Sequence, residues 1–270
     1  MNAKKESLIS RLSAKREIAA GITRLDFEWR GPPPRAGQFF LVKPVRSSMF
    51  LARPLGAAGC GNNSVCFIAS VRGKGTTELA SMYAGEEALL TGPLGNAWSD
   101  FVPANADKPL ALLSGGIGLA PLAAFCAELF RDNFSNFDFF AGFRCGVDGE
   151  KLLSAFESGL PQAVLVSEDK SGLSDSNGRL IKQGLVTDFL DAEKYAAVFS
   201  CGPAPMLRSL AIRCRMAGVP CFVSLETRMA CGTGACLGCS LPVRGGGVKH
   251  CCTDGPVFDA EGVFFDAAAE

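Results

Sequence analysis

The chain has 270 residues, 27 lysines and arginines against 27 aspartates and glutamates, one histidine and 12 cysteines. That length can bury the cores of two or three domains, and the balanced charge offers no field to recruit nucleic acid or an anionic membrane surface. No apolar run approaches the ~20 residues needed to span a bilayer, and the charged opening stretch (MNAKKESLISRLSAKREIAAG) lacks the apolar segment of a secretory signal. Cysteines in a chain without such a signal are expected to be free or metal-bound in a reducing, cytoplasmic setting.

Residues 1–102 read as β-rich. Short apolar runs such as Gln38–Val42 and Val65–Val71 are separated by glycine and proline clusters at Gly31–Pro34, Gly59–Asn63 and Thr91–Gly95. This spacing predicts an antiparallel barrel or sandwich. The texture changes over 103–224. Strand-like runs at Leu110–Leu113, Phe137–Phe143, Ala163–Val166, Ala197–Cys201 and Cys221–Leu225 alternate with helix-like runs at Leu119–Phe130, Glu150–Phe156, Val186–Leu190 and Ala204–Met216. Such alternation predicts a doubly wound parallel α/β sheet, which binds ligands beyond the carboxyl ends of its strands. Residues 225–270 form a small third unit: a cysteine-rich loop and an apolar tail in which Phe258, Val263, Phe264 and Phe265 are candidate anchors.

The cysteine loop carries the strongest chemical signal. Four residues separate Cys231 from Cys236, two separate Cys236 from Cys239, and twelve separate Cys239 from Cys252. This is the plant-type spacing for a [2Fe–2S] cluster. A loop that wraps a cluster must aim its amides at the sulfides, which favours small residues. Gly232, Gly234, Ala235 and Gly238 meet that demand. A zinc site or a set of buried structural thiols are the alternatives, although only the Cys236/Cys239 pair resembles a zinc knuckle. Cys251 and Cys252 are adjacent, so spacing alone leaves the fourth ligand open. His250 is the sole histidine, and a Rieske centre needs two. Cys60, Cys66, Cys126, Cys145, Cys201, Cys214 and Cys221 form no ligand grouping, and most read as small buried hydrophobes.

Ser114-Gly115-Gly116-Ile117-Gly118 lies where a strand meets a helix, and its glycines allow amides to approach a pyrophosphate. Cys201-Gly202-Pro203 closes a later strand, so both turns are expected on one edge of the sheet, where a nicotinamide could lie. Arg53, in Arg53-Pro54-Leu55-Gly56, could pair with a phosphate. Gly73–Thr77 offers glycine amides and a hydroxyl at Gly75 and Thr76, ahead of a helix expected at Glu78. A plain turn, or a surface arginine, is the alternative at each of these places, and Thr91–Gly95 reads most simply as a turn.

Taken together, the pieces resemble the electron-transfer subunits of class 1B dihydroorotate dehydrogenase, in the ferredoxin–NADP reductase superfamily. The resemblance is carried by GQFFLV at 37–42, ARPLG at 52–56, GKGTTEL at 73–79, TGPLGNAW at 91–98, SGGIGLAPL at 114–122, CGPAPML at 201–207, LETRMACGTGACLGC at 225–239 and CCTDGPVFDAE at 251–261. It implies an FAD-binding barrel, a central NAD-binding domain and a C-terminal [2Fe–2S] domain. It also implies a heterotetramer, two plus two, with an FMN-containing catalytic subunit that oxidises dihydroorotate. Electrons would then pass through the cluster and FAD to NAD⁺. The implied flavin-side residues are Arg53, Pro54, Leu55, Gly56, Ile68, Ala69, Ser70, Gly75 and Thr76. Those for NAD are Gly115, Gly116, Gly118, Cys201, Gly202 and Pro203. The cluster ligands are Cys231, Cys236, Cys239 and Cys252, the last because the family's fourth cysteine stands three residues before the glycine of DGPVF. Met229, Ala230, Ala235 and Leu237 flank the cysteines and are apolar, a candidate docking rim or a face packed on the chain's own NAD domain; the resemblance implies docking, since the family's cluster faces its partner.

The departures are specific. Gly56 stands where the family carries a serine near the flavin, Ala69 and Ser70 where it carries a tyrosine–arginine pair, and Asp175–Gly178 resembles an insertion. No residue is singled out for acid–base chemistry on a substrate. Two other readings remain: a flavin/iron–sulfur reductase subunit serving another partner, and a degenerate flavodomain retained for assembly through its metal site.

Overall fold

The computed structural model describes residues 5–104, 107–156, 160, 163–169, 173–174 and 180–264. Six strands close an antiparallel barrel: β1 (Glu6–Ala19), β2 (Ile22–Glu28), β3 (Phe39–Pro44), β4 (Arg53–Gly61), β5 (Ser64–Ser70) and β6 (Glu87–Leu94), in the order β1-β2-β5-β4-β3-β6. Burial alternates along β2, the period of a strand with one face inward. The inward side chains Leu25, Phe27, Phe40, Phe67 and Leu90 are fully buried. Edge-on ring pairs link Phe40 to Phe67 at 5.5 Å and to Trp29 at 4.9 Å. Each such ring stabilises the barrel by about 1.5–3 kcal/mol through its burial.

Thr91–Gly95 is not a separate turn. β6 runs on to Leu94, because Gly92 pairs with Glu6 and the Phe40 ring lies against its α-carbon; an added Cβ would come within 2.4 Å of Phe40 Cδ1. Helix α1 (Lys74–Ser81) begins ahead of the expected Glu78. The Thr76 hydroxyl, in the first turn, reaches back to accept the Arg72 and Gly73 amides at 2.9 and 3.2 Å, the backward half of a capping box, which fixes the turn ahead of the helix.

The second layer alternates as predicted. β7 (Leu110–Gly115) leads into α2 (Leu119–Arg131), β8 (Phe137–Phe143) into α3 (Gly146–Ser154), then come β9 (Ala163–Ser167), β10 (Leu173–Ser174), β11 (Leu180–Gln183), β12 (Ala197–Cys201), α4 (Ala204–Met216) and β13 (Cys221–Ser224). β7 and β12 are buried at every position, as expected of central parallel strands covered on both faces. Two expectations are corrected. Val186–Leu190 is a single 3₁₀ turn rather than a helix. α3 starts at Gly146 instead of Glu150, because the Asp169 carboxylate accepts the Gly146 amide at 3.0 Å and Gly149 lets the helix lie on the Phe143 ring. Asp175–Gly178 lies outside the described residues.

Beyond β13, β14 (Ser240–Pro242) and β15 (Val248–His250) form a hairpin, followed by β16 (Val257–Asp259) and the short α5 (Ala260–Val263). β16 pairs antiparallel with β13, so the sheet order is β10-β11-β9-β8-β7-β12-β13-β16. The tail covers a sheet edge that would otherwise present unpaired amides. Val257 and Phe258 are buried, Val263 and Phe264 pack against the core from its margin, and Phe265 lies outside the described residues. Between barrel and sheet, Ala58, Cys66 and Ile68 on the outer barrel face share one apolar cluster with Trp98, Leu122 and Phe125.

Candidate functional site

The cysteine loop sits on the barrel. Met229, Cys239, Cys251 and Cys252 share an apolar cluster with Phe39, Leu41 and Leu94, and Ala52 packs on its margin. Gly232 (φ 68°) lets the loop settle there: a Cβ would lie 2.7 Å from Leu41 Cδ1. Gly234 (φ 86°) and Gly238 leave room beside Thr253 and the Cys236 sulfur. The sulfurs of Cys239 and Cys252 stand 3.2 Å apart. The Cys231 sulfur accepts the amides of Thr233 and Cys236, both at 3.4 Å. The Gly238 amide points at the Cys236 sulfur at 3.5 Å. Among the described residues no three histidine, cysteine or carboxylate side chains gather as one metal-holding group. The arrangement is one pair of thiols, Cys239 with Cys252, and two more thiols with amides aimed at their sulfurs; four thiolates shared by two irons is the demand of a [2Fe–2S] centre.

The amides of Thr233 and Cys236 hold the Cys231 thiol down at about 6, which favours the ligating thiolate. Burial pushes Cys252 up to about 11, with neighbouring Cys239 adding to it. Cys251 is different. It donates to the Leu225 carbonyl at 3.1 Å, and burial raises it to about 12. His250 lies beside Asp254, its amide on that carboxylate at 2.6 Å. Of the candidate rim, Met229 is 9% exposed and belongs to the core, a correction; Ala230, Ala235 and Leu237 are exposed. Of the ungrouped thiols, Cys66, Cys126, Cys201, Cys214 and Cys221 are buried, Cys145 is half-buried and Cys60 is exposed.

The two glycine turns meet at the carboxyl edge of the sheet. β7 and β12 run side by side, Ser114 opposite Cys201. A Cβ on Gly118 would lie 2.1 Å from the Cys201 carbonyl oxygen, and one on Gly202 would lie 3.1 Å from Gly115 Cα. Both turns are therefore glycine because backbone packs on backbone. Gly116 (φ 55°) has open space beyond its α-carbon, and Pro203 leads into α4. Burial holds the Cys201 thiol up at about 12, helped by the charge of Glu226. Strand order reverses between β7 and β12, which is where a doubly wound sheet opens its ligand crevice.

On the barrel, the Arg53 guanidinium lies across Gly75, whose added Cβ would fall 1.9 Å from Arg53 Nε. The side chain also donates to the carbonyls of Leu51 and Ala52. A fork-shaped cation held beside the first turn of a helix fits an anionic pyrophosphate. The Thr76 hydroxyl shapes this turn instead of standing free. Pro54 and Leu55 oppose Leu41 and Phe40 in the strand pair, and Gly56 is exposed, with nothing within 4 Å of an added Cβ. Ser70 is half-buried at the strand end. Ile68 and Ala69 present no side chain to a groove: Ile68 belongs to the core shared with Trp98, Ala69 to the barrel interior.

Sequence reasoning missed two anchoring side chains. Glu78 on α1 accepts the Ser48 amide at 3.1 Å and the Ser47 hydroxyl, which ties down the loop leading to Arg53. Asn96 accepts the Val257 amide at 3.0 Å and donates to the carbonyls of Asp254 and Val257, joining the end of β6 to the base of the cysteine loop. Both stood within quoted motifs, TGPLGNAW and GKGTTEL, but their distant partners had no local signal.

Residues 226–264 match the family model of the iron-sulfur cluster binding domain of dihydroorotate dehydrogenase B. The dihydroorotate dehydrogenase B (NAD(+)), electron transfer subunit of Caldanaerobacter subterraneus subsp. tengcongensis is 34% identical over 261 residues, 95% of this chain and 98% of that protein. Its namesake from Clostridium perfringens is 34% identical over 92% of this chain and 94% of its own. Among solved structures, that of an NADH-dependent reduced ferredoxin-NADP oxidoreductase superposes with a TM-score of 0.80 at 25% identity, covering 98% of this chain and 92% of the other. The ferredoxin reductase in carbazole 1,9a-dioxygenase shares the fold, with a TM-score of 0.66 at 18% identity over 82% of this chain and 68% of its own.

Proposed function

The chain belongs to the family of dihydroorotate dehydrogenase B electron transfer subunits, and from that premise we propose that it carries electrons from a dihydroorotate-oxidising partner to NAD⁺ through a [2Fe–2S] cluster and FAD. The observation that carries the proposal is the contact of the Cys239 and Cys252 sulfurs in a loop whose amides are aimed at the Cys231 and Cys236 sulfurs. When bound, the cluster supplies one-electron transfer, the flavin the exchange between one- and two-electron steps, and NAD⁺ the two-electron outlet.

The chain's own residues set the route. Cys231, Cys236, Cys239 and Cys252 are the proposed cluster ligands. Arg53 and the Gly75–Thr76 turn hold the flavin's pyrophosphate, with Pro54, Leu55 and Gly56 along the same strand. Ile68, Ala69 and Ser70 are assigned backbone contact at most. Gly115, Gly116 and Gly118 with Cys201, Gly202 and Pro203 form the NAD edge. The three units are proposed as 1–102, 103–224 and 225–270, with the third lending β16 to the sheet of the second. The cluster's support touches the flavin side through Ala52, Leu41 and Leu94, which keeps the two sites adjacent.

The proposed partner is an FMN-containing catalytic subunit, two copies of each, docked over Ala230, Ala235 and Leu237 in the cytoplasm and serving pyrimidine biosynthesis. No helix among the described residues is long and apolar enough to cross a membrane. A visible spectrum with iron, sulfide and flavin assays on the purified chain tests the cofactors. Equal iron and acid-labile sulfide plus FAD is the expected result; zinc without flavin would overturn it. Addition of the FMN subunit should confer dihydroorotate-dependent NAD⁺ reduction. The similarity to the NADH-dependent reduced ferredoxin-NADP oxidoreductase favours a second reading, a flavin/iron–sulfur reductase subunit with another partner. Full cofactor content without response to dihydroorotate and the FMN subunit selects it.

A further inference from the structure

We propose that Glu128 is a positioning residue that sets the angle between the barrel and the nucleotide-binding sheet, and with it the approach of nicotinamide to flavin. This rests on the functional reading above. Glu128 lies near the end of α2, the helix that starts from the Gly115–Gly118 turn, and it is only 9% exposed. One carboxylate oxygen accepts the Ala36 amide of the barrel at 2.7 Å. The other accepts the Ser99 hydroxyl, in the segment joining barrel to sheet, at 2.6 Å. Arg35 extends the network by donating to Ser99 Oγ at 2.8 Å and to Asp100 Oδ1 at 2.7 Å. The Ala97 amide closes it on Asp100 Oδ2 at 2.9 Å, and the Trp98 amide returns to the Ala36 carbonyl at 3.0 Å.

The surrounding contact between barrel and α2 is apolar: Ala58, Cys66 and Ile68 against Leu122 and Phe125. Apolar burial is non-directional, so it holds the two bodies together without choosing their angle. Hydrogen bonds to a buried carboxylate are directional and strong. Glu128 supplies that direction at one end of the helix whose other end forms the NAD edge. A small rotation there moves the Gly115–Gly118 turn relative to Arg53 and Gly75. Transfer between two bound rings is sensitive to such shifts, and a misplacement of about 1 Å can cost about a hundredfold in rate.

Glu128→Leu keeps the volume and removes both bonds. Glu128→Gln keeps an acceptor for Ala36, and its amide group can donate to Ser99 Oγ. Three readouts apply to the full chain: hydrogen exchange at the Ala36 amide, the nicotinamide–flavin charge-transfer band, and the rate of flavin reduction by NADH against NADH affinity. Glu128→Leu should expose the Ala36 amide, weaken the band and slow reduction by about tenfold to a hundredfold with NADH affinity little changed. Glu128→Gln should restore all three. Where Glu128→Leu does not fold, Ser99→Ala removes a single bond and should show the same changes to a smaller degree. Normal band and rate in whichever variant folds overturn the proposal. A wild-type chain that NADH cannot reduce overturns instead the functional reading on which it rests.

Discussion

Cys239 and Cys252 hold their sulfurs 3.2 Å apart across twelve intervening residues, while Cys251 turns its thiol away to the Leu225 carbonyl at 3.1 Å. The two cysteines lie in the hydrogen-bonded turn after β15, where the Thr253 and Asp254 amides return to the His250 carbonyl, and that turn gives the adjacent thiols different partners. One is available to a cluster, and the other closes the base of the loop.

Single Cys→Ser changes at Cys231, Cys236, Cys239 and Cys252 should each bleach the iron–sulfur absorbance, because sulfur softness holds the iron and a hydroxyl does not replace it. Cys251→Ser should keep the colour and cost at most about 1–2 kcal/mol in unfolding free energy, since a hydroxyl can still donate to Leu225. Visible spectra and denaturant titrations decide the matter, and bleaching at Cys251 with colour kept at Cys252 reverses the assignment.

Arg53→Ala and Gly75→Ala should weaken FAD binding by separate routes. The first removes the cation; the second places a methyl 1.9 Å from Arg53 Nε and drives the guanidinium off its seat. Loss of charge-assisted hydrogen bonds worth about 1.5–3 kcal/mol corresponds to about tenfold to a hundredfold in Kd. Flavin fluorescence titration of the apoprotein reads this directly, and unchanged affinity in both variants removes Arg53 from the flavin site.

Gly118→Ala should damage the NAD edge without touching the cluster. Its methyl would lie 2.1 Å from a backbone carbonyl oxygen that has no rotamer to escape into. The KM for NADH in dye reduction should rise at least about tenfold, in line with about 1.4 kcal/mol of lost binding, while the iron–sulfur spectrum stays intact. An unchanged KM would show that the turn plays no part in nucleotide binding.

Leu237 and Met229 should separate docking from folding. Leu237 is 59% exposed and Met229 only 9%. Leu237→Asp should keep cluster and FAD, lose association with the FMN subunit in size-exclusion chromatography, and spare NADH-to-dye activity. Met229→Asp buries a charge without a partner and should destabilise the loop or shed the cluster. If Leu237→Asp sheds the cluster as well, the docking face lies elsewhere.

Much of this fold was legible from local pattern. Ala197–Cys201 and Ala204–Met216 read from apolar runs and punctuation match β12 and α4 residue for residue. The alternation of strand and helix set the parallel sheet, and cysteine spacing with small residues marked the cluster loop. These signals are local: period, glycine placement and ligand spacing lie within a few residues of one another. What only the tertiary structure decided depends on which distant surfaces meet. Two glycines at the start of α3 speak against a helix until Phe143 and Asp169 are brought to them. Met229 sits among exposed neighbours yet is buried, because Leu41 and Leu94 of the barrel lie beneath it. Cys251 and Cys252 are equivalent in sequence and are told apart by the Leu225 carbonyl on one side and the Cys239 sulfur on the other. Nothing near Glu128 marks it out from any other helix carboxylate, since its partners Ala36 and Ser99 arrive from 92 and 29 residues away. Chain entropy makes such distant contacts a property of the whole packed fold, so no local stretch encodes them.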